Sequence, residues 1–417
     1  MELKRVVITG LGALTPIGNT LDAYWQGLEQ GVSGAAPITK FDTEKFRTKF
    51  ACEVKGLNVG DLINRKEAKR MDPFTQYAMI VADEAMKHSG LDLDAINPDR
   101  AGVIWGSGIG GIRTFQDEVE GFYKGDGTPR FNPFFIPKMI ADISAGHISM
   151  KYNFRGPNFV TVSACASSTN ALIEAFNYIR LGKVDIMITG GSEAAVTEAG
   201  MGGFNAMKAL SERNDDPATA SRPFDKNRDG FVLGEGAGAI VIEELEHAKA
   251  RGANILAEVA GGGLSADAYH ITAPHPEGLG AKSVMINALE DAGMKPEEVD
   301  YINVHGTSTP LGDIAEMRAI QQVFGDHVYN LNISSTKSMT GHLLGAAGAI
   351  ETIACLFAVQ KGIVPPTINH FADDDGLDPK LNFTFNEAQQ KEVNVAVSNT
   401  FGFGGHNCSI IVKKHDN

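Results

Sequence analysis

The stretch VTVSACASST, residues 160–169, joins a β-branched run, a block of small residues and a lone cysteine. The residues from Asn170 onward take up helical spacing, so this stretch predicts a strand-to-helix turn with Cys165 on or near the first helical turn. Free backbone N–H groups and the helix dipole stabilise an anion there, which lowers the pKa of a thiol and favours a nucleophile. A small buried cysteine in tight packing fits the stretch equally well, so the rest of the chain has to decide.

The composition limits the classes of function. The chain has 417 residues, 43% of them hydrophobic and 21% charged, enough for two domains or one large duplicated fold. A net charge of −14 argues against bulk binding to nucleic acid or to an anionic membrane surface. Four cysteines do not make a disulfide framework, and the chain shows neither an apolar leader nor an uninterrupted apolar run of membrane-spanning length. These features predict a cytoplasmic protein.

Strand and helix patterns alternate along the chain, and the alternation starts again near residue 255. The segment 333–351, a strand that feeds a helix of small residues, echoes the Cys165 stretch. We therefore expect an α/β fold of two related halves, residues 1–254 and 255–417. Gly10–Gly12 is expected to turn the chain after a first strand, and residues 231–243 are expected to form a hairpin that turns at 234–236.

Two segments imitate ligand-binding motifs. GSGIGG, residues 106–111, matches G-x-G-x-x-G, but no acidic residue closes a strand at the distance that a dinucleotide site requires. A tight turn that lines a pocket is the favoured interpretation. DKNRDG, residues 225–230, resembles the first half of an EF-hand loop, but position twelve is Gly236 in place of glutamate, so calcium is not expected.

A dense basic patch, Arg65–Asp72, precedes a predicted helix at 74–89 in an otherwise acidic chain. A solvated helix start is the ordinary interpretation of such a patch. The contrast with the overall charge favours the alternative, a docking patch for an acidic partner.

Two histidines stand out by their position. His305 ends a buried strand, and His342 opens the second small-residue helix, so both lie where α/β folds place their sites. One such histidine alone would be assigned a structural role. Two in matching positions, with Cys165 in the equivalent place of the other half, favour a function.

Three kinds of chemistry combine one cysteine with two histidines. A zinc site lacks the usual close spacing of ligands. A Cys-His-Asn hydrolase, with Asn303 or Asn399 orienting one imidazole, leaves the second imidazole without a task. Acyl transfer coupled to decarboxylation uses every group, because the thiolate holds an acyl chain while two imidazole N–H donors stabilise the enolate of a malonyl thioester. The third chemistry is the most economical.

Four motifs resemble those of the β-ketoacyl-acyl-carrier-protein synthases, most closely the elongating enzymes of type II fatty-acid synthesis. They are VSACASS (162–168), VHGTST (304–309), STKSMTGH (335–342) and NTFGFGG (399–405). The resemblance runs end to end. It implies a thiolase-like fold of two pseudo-repeated halves in a five-layered αβαβα arrangement, a homodimer, and a reaction that needs no cofactor and no metal.

The resemblance also implies roles for individual residues. Cys165 would take the acyl chain from the acyl carrier protein, His305 and His342 would assist malonyl decarboxylation, and the N–H groups of Cys165 and Phe403 would form an oxyanion hole. Phe403 also matches a gating position. The remaining matches are Thr307 and Thr309 for the pantetheine arm, Lys337 and Glu351 as a supporting pair, Ile109 at the deep end of the acyl pocket, Lys66, Lys69, Arg70 and Lys208 for docking of the carrier protein, and Asn303, Glu351, Ser398 and Asn399 for a monovalent cation.

Related families fit the sequence less well. Cys165 argues against chain-length factors, which lack the nucleophile, and His342 argues against initiating synthases and thiolases. A polyketide ketosynthase shares the Cys-His-His set and stays an alternative, although the modest length disfavours a modular one.

Overall fold

The computed structural model describes residues 3–415. The strands are β1 (Val6–Leu14), β2 (Ala36–Pro37), β3 (Phe50–Ala51), β4 (Ala101–Gly106), β5 (Asn158–Thr161), β6 (Ile186–Glu193), β7 (Gly236–Glu244), β8 (Ala257–Ala266), β9 (Tyr301–Asn303), β10 (Asn332–Ser334), β11 (Ile363–Val364), β12 (Gln389–Gln390), β13 (Val395–Gly402) and β14 (His406–Lys413). The helices are α1 (Leu21–Glu29), α2 (Arg65–Ala68), α3 (Pro73–Ser89), α4 (Ile112–Lys124), α5 (Phe135–Met139), α6 (Ile143–Tyr152), α7 (Ser167–Arg180), α8 (Glu198–Ala206), α9 (Leu245–Ala250), α10 (Leu279–Ala292), α11 (Pro310–Phe324), α12 (Lys337–Thr340) and α13 (Ala347–Lys361).

Helix α3 shows how the sequence sets the ends of an element. The Asp72 carboxylate accepts the N–H of Phe74 at 3.2 Å, and Pro73 occupies the first helical position, where its missing N–H costs nothing. Gly90 ends the helix with a φ of 62°, a conformation that glycine adopts without strain. The predicted helix at 74–89 is confirmed.

The main sheet runs in the order β10-β9-β13-β14-β8-β1-β7-β6-β4-β5. Counted along the chain, β1, β4, β5, β6 and β7 lie in the order 3-2-4-5-1, and β8, β9, β10, β13 and β14 repeat that order. In each set the fifth strand runs antiparallel to both of its neighbours, whereas the second strand is parallel to its two neighbours. The topology thus repeats, while the division of the chain at residue 254 stays a prediction.

The two half-sheets enclose a middle layer of helices α7 and α13. Ile240 and Ile410 point into this middle core, whereas Val241 and Ile411, one residue further along the same strands, face outer cores. Helices α3 and α6 cover one outer face, and α10 and α11 cover the other. The order of layers is therefore helix, sheet, helix, sheet, helix.

The segment Leu344–Lys361, which contains α13, is long and apolar enough to cross a membrane by length and composition. Its mean hydropathy is 1.3, and 89% of it is buried inside the protein. The apolar character of this segment matches its place in the middle layer, where a helix is covered on all sides.

Two local expectations were wrong. Strand β1 continues through Gly10 and Gly12, because these glycines allow α3 to pack closely against the strand. A Cβ on Gly10 would lie 2.3 Å from the Ala85 carbonyl oxygen, and a Cβ on Gly12 would lie 2.1 Å from that of Val81. Residues 231–243 form no hairpin, since Leu233 pairs with His342 and β7 begins only at Gly236.

Candidate active site

Cys165 lies in a 3-10 turn, Ala164–Ala166, between strand β5 and helix α7. Ala164 has a φ of 51°, a left-handed conformation that is strained for a residue with a Cβ. The Ser167 hydroxyl stabilises the turn by accepting the N–H of Ser163 at 3.0 Å and donating to the Ala164 carbonyl at 2.7 Å. The predicted strand-to-helix position of Cys165 is confirmed.

His342 faces the thiol directly. Its Nε2 lies 2.9 Å from Cys165 Sγ. The backbone of His342 is paired on both sides, because its N–H donates to the Val232 carbonyl at 2.8 Å and its carbonyl accepts from Gly234 at 2.9 Å. His342 was expected to open a helix, but it lies in this extended segment, two residues before the 3-10 turn Leu344–Ala346.

His305 follows strand β9, and its ring lies edge-on to that of His342 with 5.3 Å between the ring centroids. The carboxylate of Glu316, on α11, accepts the N–H groups of His305 at 2.9 Å and Gly306 at 2.8 Å. Burial raises the pKa of this carboxyl to about 7. Glu316 therefore fixes the His305 loop from behind, a role that the sequence analysis missed because no local motif marks it.

A buried ion pair controls the electrostatics behind the imidazoles. Lys337 and Glu351 contact one another with at most 1% of either side chain exposed. Burial lowers the pKa of His305 and of His342 well below the usual value, and the Lys337 charge lowers both further. Both rings are therefore neutral near pH 7, so each carries a single N–H.

The pKa of the Cys165 thiol moves against expectation. Burial raises the pKa to about 12, which outweighs the Lys337 charge and the hydrogen bond from the Phe403 N–H. The predicted low pKa at a helix start was thus wrong for this site. The thiol is protonated at rest, and the neutral His342 imidazole is placed to accept its proton when it reacts.

The low pKa values of the two imidazoles predict a pH-dependent stability. In the unfolded chain both rings bind a proton below their ordinary pKa, whereas in the folded protein they do not, so the free energy of unfolding falls as the pH falls. Between about pH 7.5 and 5.5 the parent should lose about 2–3 kcal/mol more than the double variant His305→Asn/His342→Asn in urea unfolding. Equal losses would contradict the prediction. The carboxyls of Asp313 and Glu316 also titrate in this range. Both are present in the parent and in the double variant, so their contribution to the change in stability is the same in the two proteins.

The NTFGFGG motif runs along the end of β13 and forms, at residues 403–405, a tight turn into β14. A Cβ on Gly402 would lie 2.6 Å from the Ser163 carbonyl oxygen, so glycine alone fits against the Cys165 turn. Gly404 donates its N–H to the Ile271 carbonyl at 2.7 Å, and the Asp267 N–H donates to the Gly405 carbonyl at 3.0 Å. The turn thus connects the thiol with the segment that follows β8.

A cavity of about 480 Å³ opens onto the thiol. The Thr307 and Thr309 hydroxyls lie 3.1 Å apart on its wall. Of the residues singled out in the sequence, the cavity brings together Cys165, His305, His342, Phe403, Thr307, Thr309, Ile109 and Lys208. Lys66, Lys69 and Arg70 are exposed on and after α2 and do not line it.

The residues matched to a cation site are buried behind the imidazoles. Asn303 and Ser398 face one another on neighbouring strands, and Asn303 Oδ1 and Ser398 Oγ have no hydrogen-bond partner within residues 3–415. The Glu351 carboxylate has only its pairing with Lys337. Asn399 is already engaged, since its carbonyl oxygen accepts from Ser409 at 2.9 Å. Three of the four residues therefore offer free oxygen atoms.

Two family models match the chain. The model for the β-ketoacyl synthase N-terminal domain matches residues 3–248, and the model for the C-terminal domain matches residues 256–371. The chain belongs to the β-ketoacyl synthase family. This synthase is accordingly a condensing acyltransferase, as the four motifs indicated.

Curated relatives of the synthase match over its full length. The protein named 3-oxoacyl-[acyl-carrier-protein] synthase 2 of Synechocystis sp. is 49% identical over 415 residues, covering 100% of this chain and 99% of the relative. The protein of the same name from Staphylococcus aureus is 50% identical over 413 residues, covering 99% of both.

Solved structures confirm the fold of the synthase. The ishigamide ketosynthase/chain length factor matches with a TM-score of 0.92 and 36% identity, covering 99% of this chain and 100% of that one. A β-ketoacyl synthase from Burkholderia phymatum matches with a TM-score of 0.91 and 34% identity at the same coverage. A ketosynthase in complex with a type II polyketide synthase acyl-carrier protein matches with a TM-score of 0.89 and 32% identity, covering 99% of this chain and 100% of that one. The predicted thiolase-like fold and the resemblance to the elongating synthases are confirmed.

Proposed function

We propose that this synthase condenses an acyl-[acyl-carrier-protein] with malonyl-[acyl-carrier-protein] to give a 3-oxoacyl-[acyl-carrier-protein] two carbons longer, in fatty-acid elongation. The observation that carries the proposal is the contact between Cys165 Sγ and His342 Nε2, with the His305 ring beside them in one cavity. A thiol and two neutral imidazoles, one of which is the base of the thiol, are the groups that a decarboxylative condensation needs.

In the first half-reaction the Cys165 sulfur attacks the carbonyl carbon of the acyl thioester. The thiol proton passes to His342 Nε2, 2.9 Å away, and from there to the sulfur of the departing pantetheine thiol. The acyl group ends as a thioester on Cys165. Oxygen charge at the tetrahedral stage would lie against the N–H groups of Cys165 and Phe403, the latter already directed at the sulfur.

In the second half-reaction malonyl thioester takes the place of the departed thiol. The bond between its α-carbon and its carboxylate breaks, carbon dioxide leaves, and the electron pair forms an enolate. The enolate oxygen accepts the N–H of His305 and that of His342, whose single proton must by then lie on Nε2, the nitrogen that faces the thiol, through exchange of the ring tautomer with solvent. The enolate carbon attacks the Cys165 thioester, and the thiolate that leaves takes a proton from solvent. Thr307 and Thr309, on the cavity wall, would hydrogen-bond the pantetheine arm.

Mass spectrometry of the products tests this function. The synthase is mixed with malonyl-carrier protein and with acyl-carrier proteins of several chain lengths, and 3-oxoacyl thioesters two carbons longer are expected. Free acids as the main product would show a hydrolase instead. Unchanged substrates, with no acyl adduct on Cys165, would show a non-catalytic partner subunit.

We also propose that Lys66, Lys69, Arg70 and Lys208 dock the acidic carrier protein. All four side chains are exposed, and none forms an ion pair within residues 3–415. Lys208 lies at the cavity wall. Lys69→Glu should raise the KM for acyl-carrier protein about fivefold, more at low salt, with kcat unchanged. Lys249→Glu, a matched charge reversal on α9, should leave the KM unchanged. Equal KM values for the two variants would contradict the docking role.

A homodimer is the proposed assembly. Strand β5 lies at the end of the main sheet, so one row of its backbone groups has no strand partner among the described residues. Val162, directly after it, is 62% exposed, and Phe131, Phe134 and Ile136 are also exposed. Exposed apolar side chains together with an open sheet edge are typical of a subunit interface. A second copy of the chain is its proposed occupant.

Val162→Arg is therefore expected to convert the dimer into monomer, because a buried guanidinium without a partner is costly. Analytical ultracentrifugation measures the mass. Leu93→Arg is the matched control, since Leu93 is 43% exposed just beyond α3, away from β5. A Val162→Arg protein with the same mass as the parent and the control would rule out this interface.

We also propose a cation site and a cellular location. Asn303, Ser398 and Glu351 would hold a monovalent cation, because hard cations prefer oxygen ligands and these oxygens are buried without other partners. A cytoplasmic location fits the four cysteines, all of which are free. The reaction as written balances without a cofactor.

A further inference from the structure

The glycine-rich turn at 106–111 binds an anion that belongs to the protein itself. Glu193 ends strand β6, and its Oε2 accepts the N–H of Gly108 at 2.7 Å. Its Oε1 accepts the N–H groups of Ile109 at 3.1 Å and Gly110 at 3.3 Å, and the Ser107 hydroxyl at 3.2 Å. The turn that imitates a phosphate-binding motif thus uses its N–H groups on a carboxylate.

The second half of the chain contributes one more donor. Gly345 donates its N–H to Glu193 Oε2 at 3.0 Å, so this oxygen bridges Gly108 and Gly345. Glu193 is fully buried, and no lysine, arginine or histidine forms an ion pair with it within residues 3–415. Five N–H and O–H donors alone compensate the buried charge, so each of them is tied to the carboxylate.

The internal repeat explains why the N–H of Gly345 is available to donate to Glu193. The turns Ala164–Ala166 and Leu344–Ala346 correspond, each begins with a left-handed residue (φ 51° for Ala164 and 48° for Leu344), and each leads into a middle-layer helix. Gly345 therefore occupies the place of Cys165 in the other half. Its N–H is the counterpart of the Cys165 N–H assigned to the oxyanion hole, and it donates to Glu193 instead.

We propose that Glu193 is a positioning residue that fixes the Gly108–Gly110 turn, and with it the Ile109 side chain, against the Gly345 turn beneath the thiol. The contacts leave no room for a side chain at Gly108 or Gly345. A Cβ on Gly108 would lie 2.9 Å from Glu193 Oε2, and a Cβ on Gly345 would lie 2.7 Å from it. Gly108 and Ile109 line the cavity, so the carboxylate sets the wall that faces the acyl chain.

Glu193→Gln tests the proposal, because the amide keeps one acceptor oxygen and turns an NH₂ group toward N–H donors. Glu84→Gln is the matched control: Glu84 is also a largely buried carboxylate that accepts two backbone N–H groups, those of Ala13 and Leu21, away from the cavity. Hydrogen exchange of the peptide 106–111 should be at least about tenfold faster in Glu193→Gln and within about twofold of the parent in Glu84→Gln. Unchanged exchange in Glu193→Gln would overturn the proposal.

Ser107→Ala keeps the test decisive if Glu193→Gln does not fold. It removes one donor to Glu193 and the acceptor of the Gly110 N–H, 3.1 Å away, and should speed exchange of residues 106–111 about threefold. Exchange as slow as in the parent would count against the proposal.

The consequence for specificity rests on the proposed function. In Glu193→Gln the ratio of kcat/KM for long-chain over short-chain acyl-carrier protein should fall at least about fivefold, and Glu84→Gln should keep the parent ratio. A fast-exchanging turn with an unchanged ratio would refute the role in acyl specificity. Absence of condensation in the parent would refute the proposed function and leave the exchange result valid, so the two failures are distinguishable.

Discussion

Replacement of Cys165 by alanine is expected to abolish condensation, with turnover falling by about 10⁴- to 10⁶-fold. The reaction requires a sulfur that holds the acyl group while malonyl thioester enters. Within residues 3–415 no other cysteine lines the cavity. Two measurements check this result: intact-protein mass after incubation with acyl-carrier protein, and the yield of 3-oxoacyl thioester. The parent should gain the mass of one acyl group, and Cys165→Ala should gain none.

Cys408→Ala is the matched control. Cys408 is also buried and free, but it packs in the middle core on β14. Its truncation should cost about 1 kcal/mol of stability and leave the acyl adduct intact. Formation of 3-oxoacyl thioester at the parent rate by Cys165→Ala would refute the covalent route.

Replacement of Lys337 by alanine should have the largest effect on stability. Lys337 and Glu351 are both buried, and removal of the cation leaves the Glu351 carboxylate without its charged partner. Breaking such a pair costs about 3–5 kcal/mol. Urea unfolding measures this loss. Since the Lys337 charge also lowers the pKa of His305 and of His342, both pKa values should rise in the variant.

The double variant Lys337→Met/Glu351→Leu separates the two effects. Replacing both charges by apolar groups of similar volume should bring the stability to within about 1.5 kcal/mol of the parent. The imidazoles still lack the Lys337 charge, so their pKa values rise. The acid side of the pH profile of the malonyl decarboxylation rate should therefore move to higher pH in both variants. A stability loss below about 1 kcal/mol in Lys337→Ala, or an unmoved acid limb, would contradict the assignment.

The local sequence pattern was sufficient to predict the strand-to-helix turn at Cys165. The preferences of β-branched residues, small residues and helical spacing act over only a few neighbouring positions. The repeat of the two halves was also visible, since the strand that feeds α13 resembles the strand that feeds α7. The spacing of Cys165, His305 and His342 along the chain did not show that they meet. Their resemblance to known motifs supplied that information.

Expectations from local sequence were wrong where the partner of a residue is distant in the chain. Gly10 and Gly12 resemble a turn, but they lie in strand β1, where a Cβ would clash with the backbone of α3. Residues 231–243 were expected to form a hairpin, but the partners of residues 231–234 lie at positions 52, 210 and 342. Burial reversed the expected pKa shift of Cys165, and burial is a property of the assembled protein. Glu193 and Glu316 bind backbone groups, which leave no side-chain pattern to detect.

The junction of the half-sheets carries a mechanical consequence. Strand β1 pairs with β8 only over Val6–Ile8 and Ala257–Val259, yet α7 and α13 pack against both half-sheets. Separating the halves would expose a core that both of them share. Neither half is therefore expected to melt in a transition of its own. The nucleophile and its imidazoles sit on opposite sides of this seam, and catalytic competence therefore reports the integrity of the whole molecule.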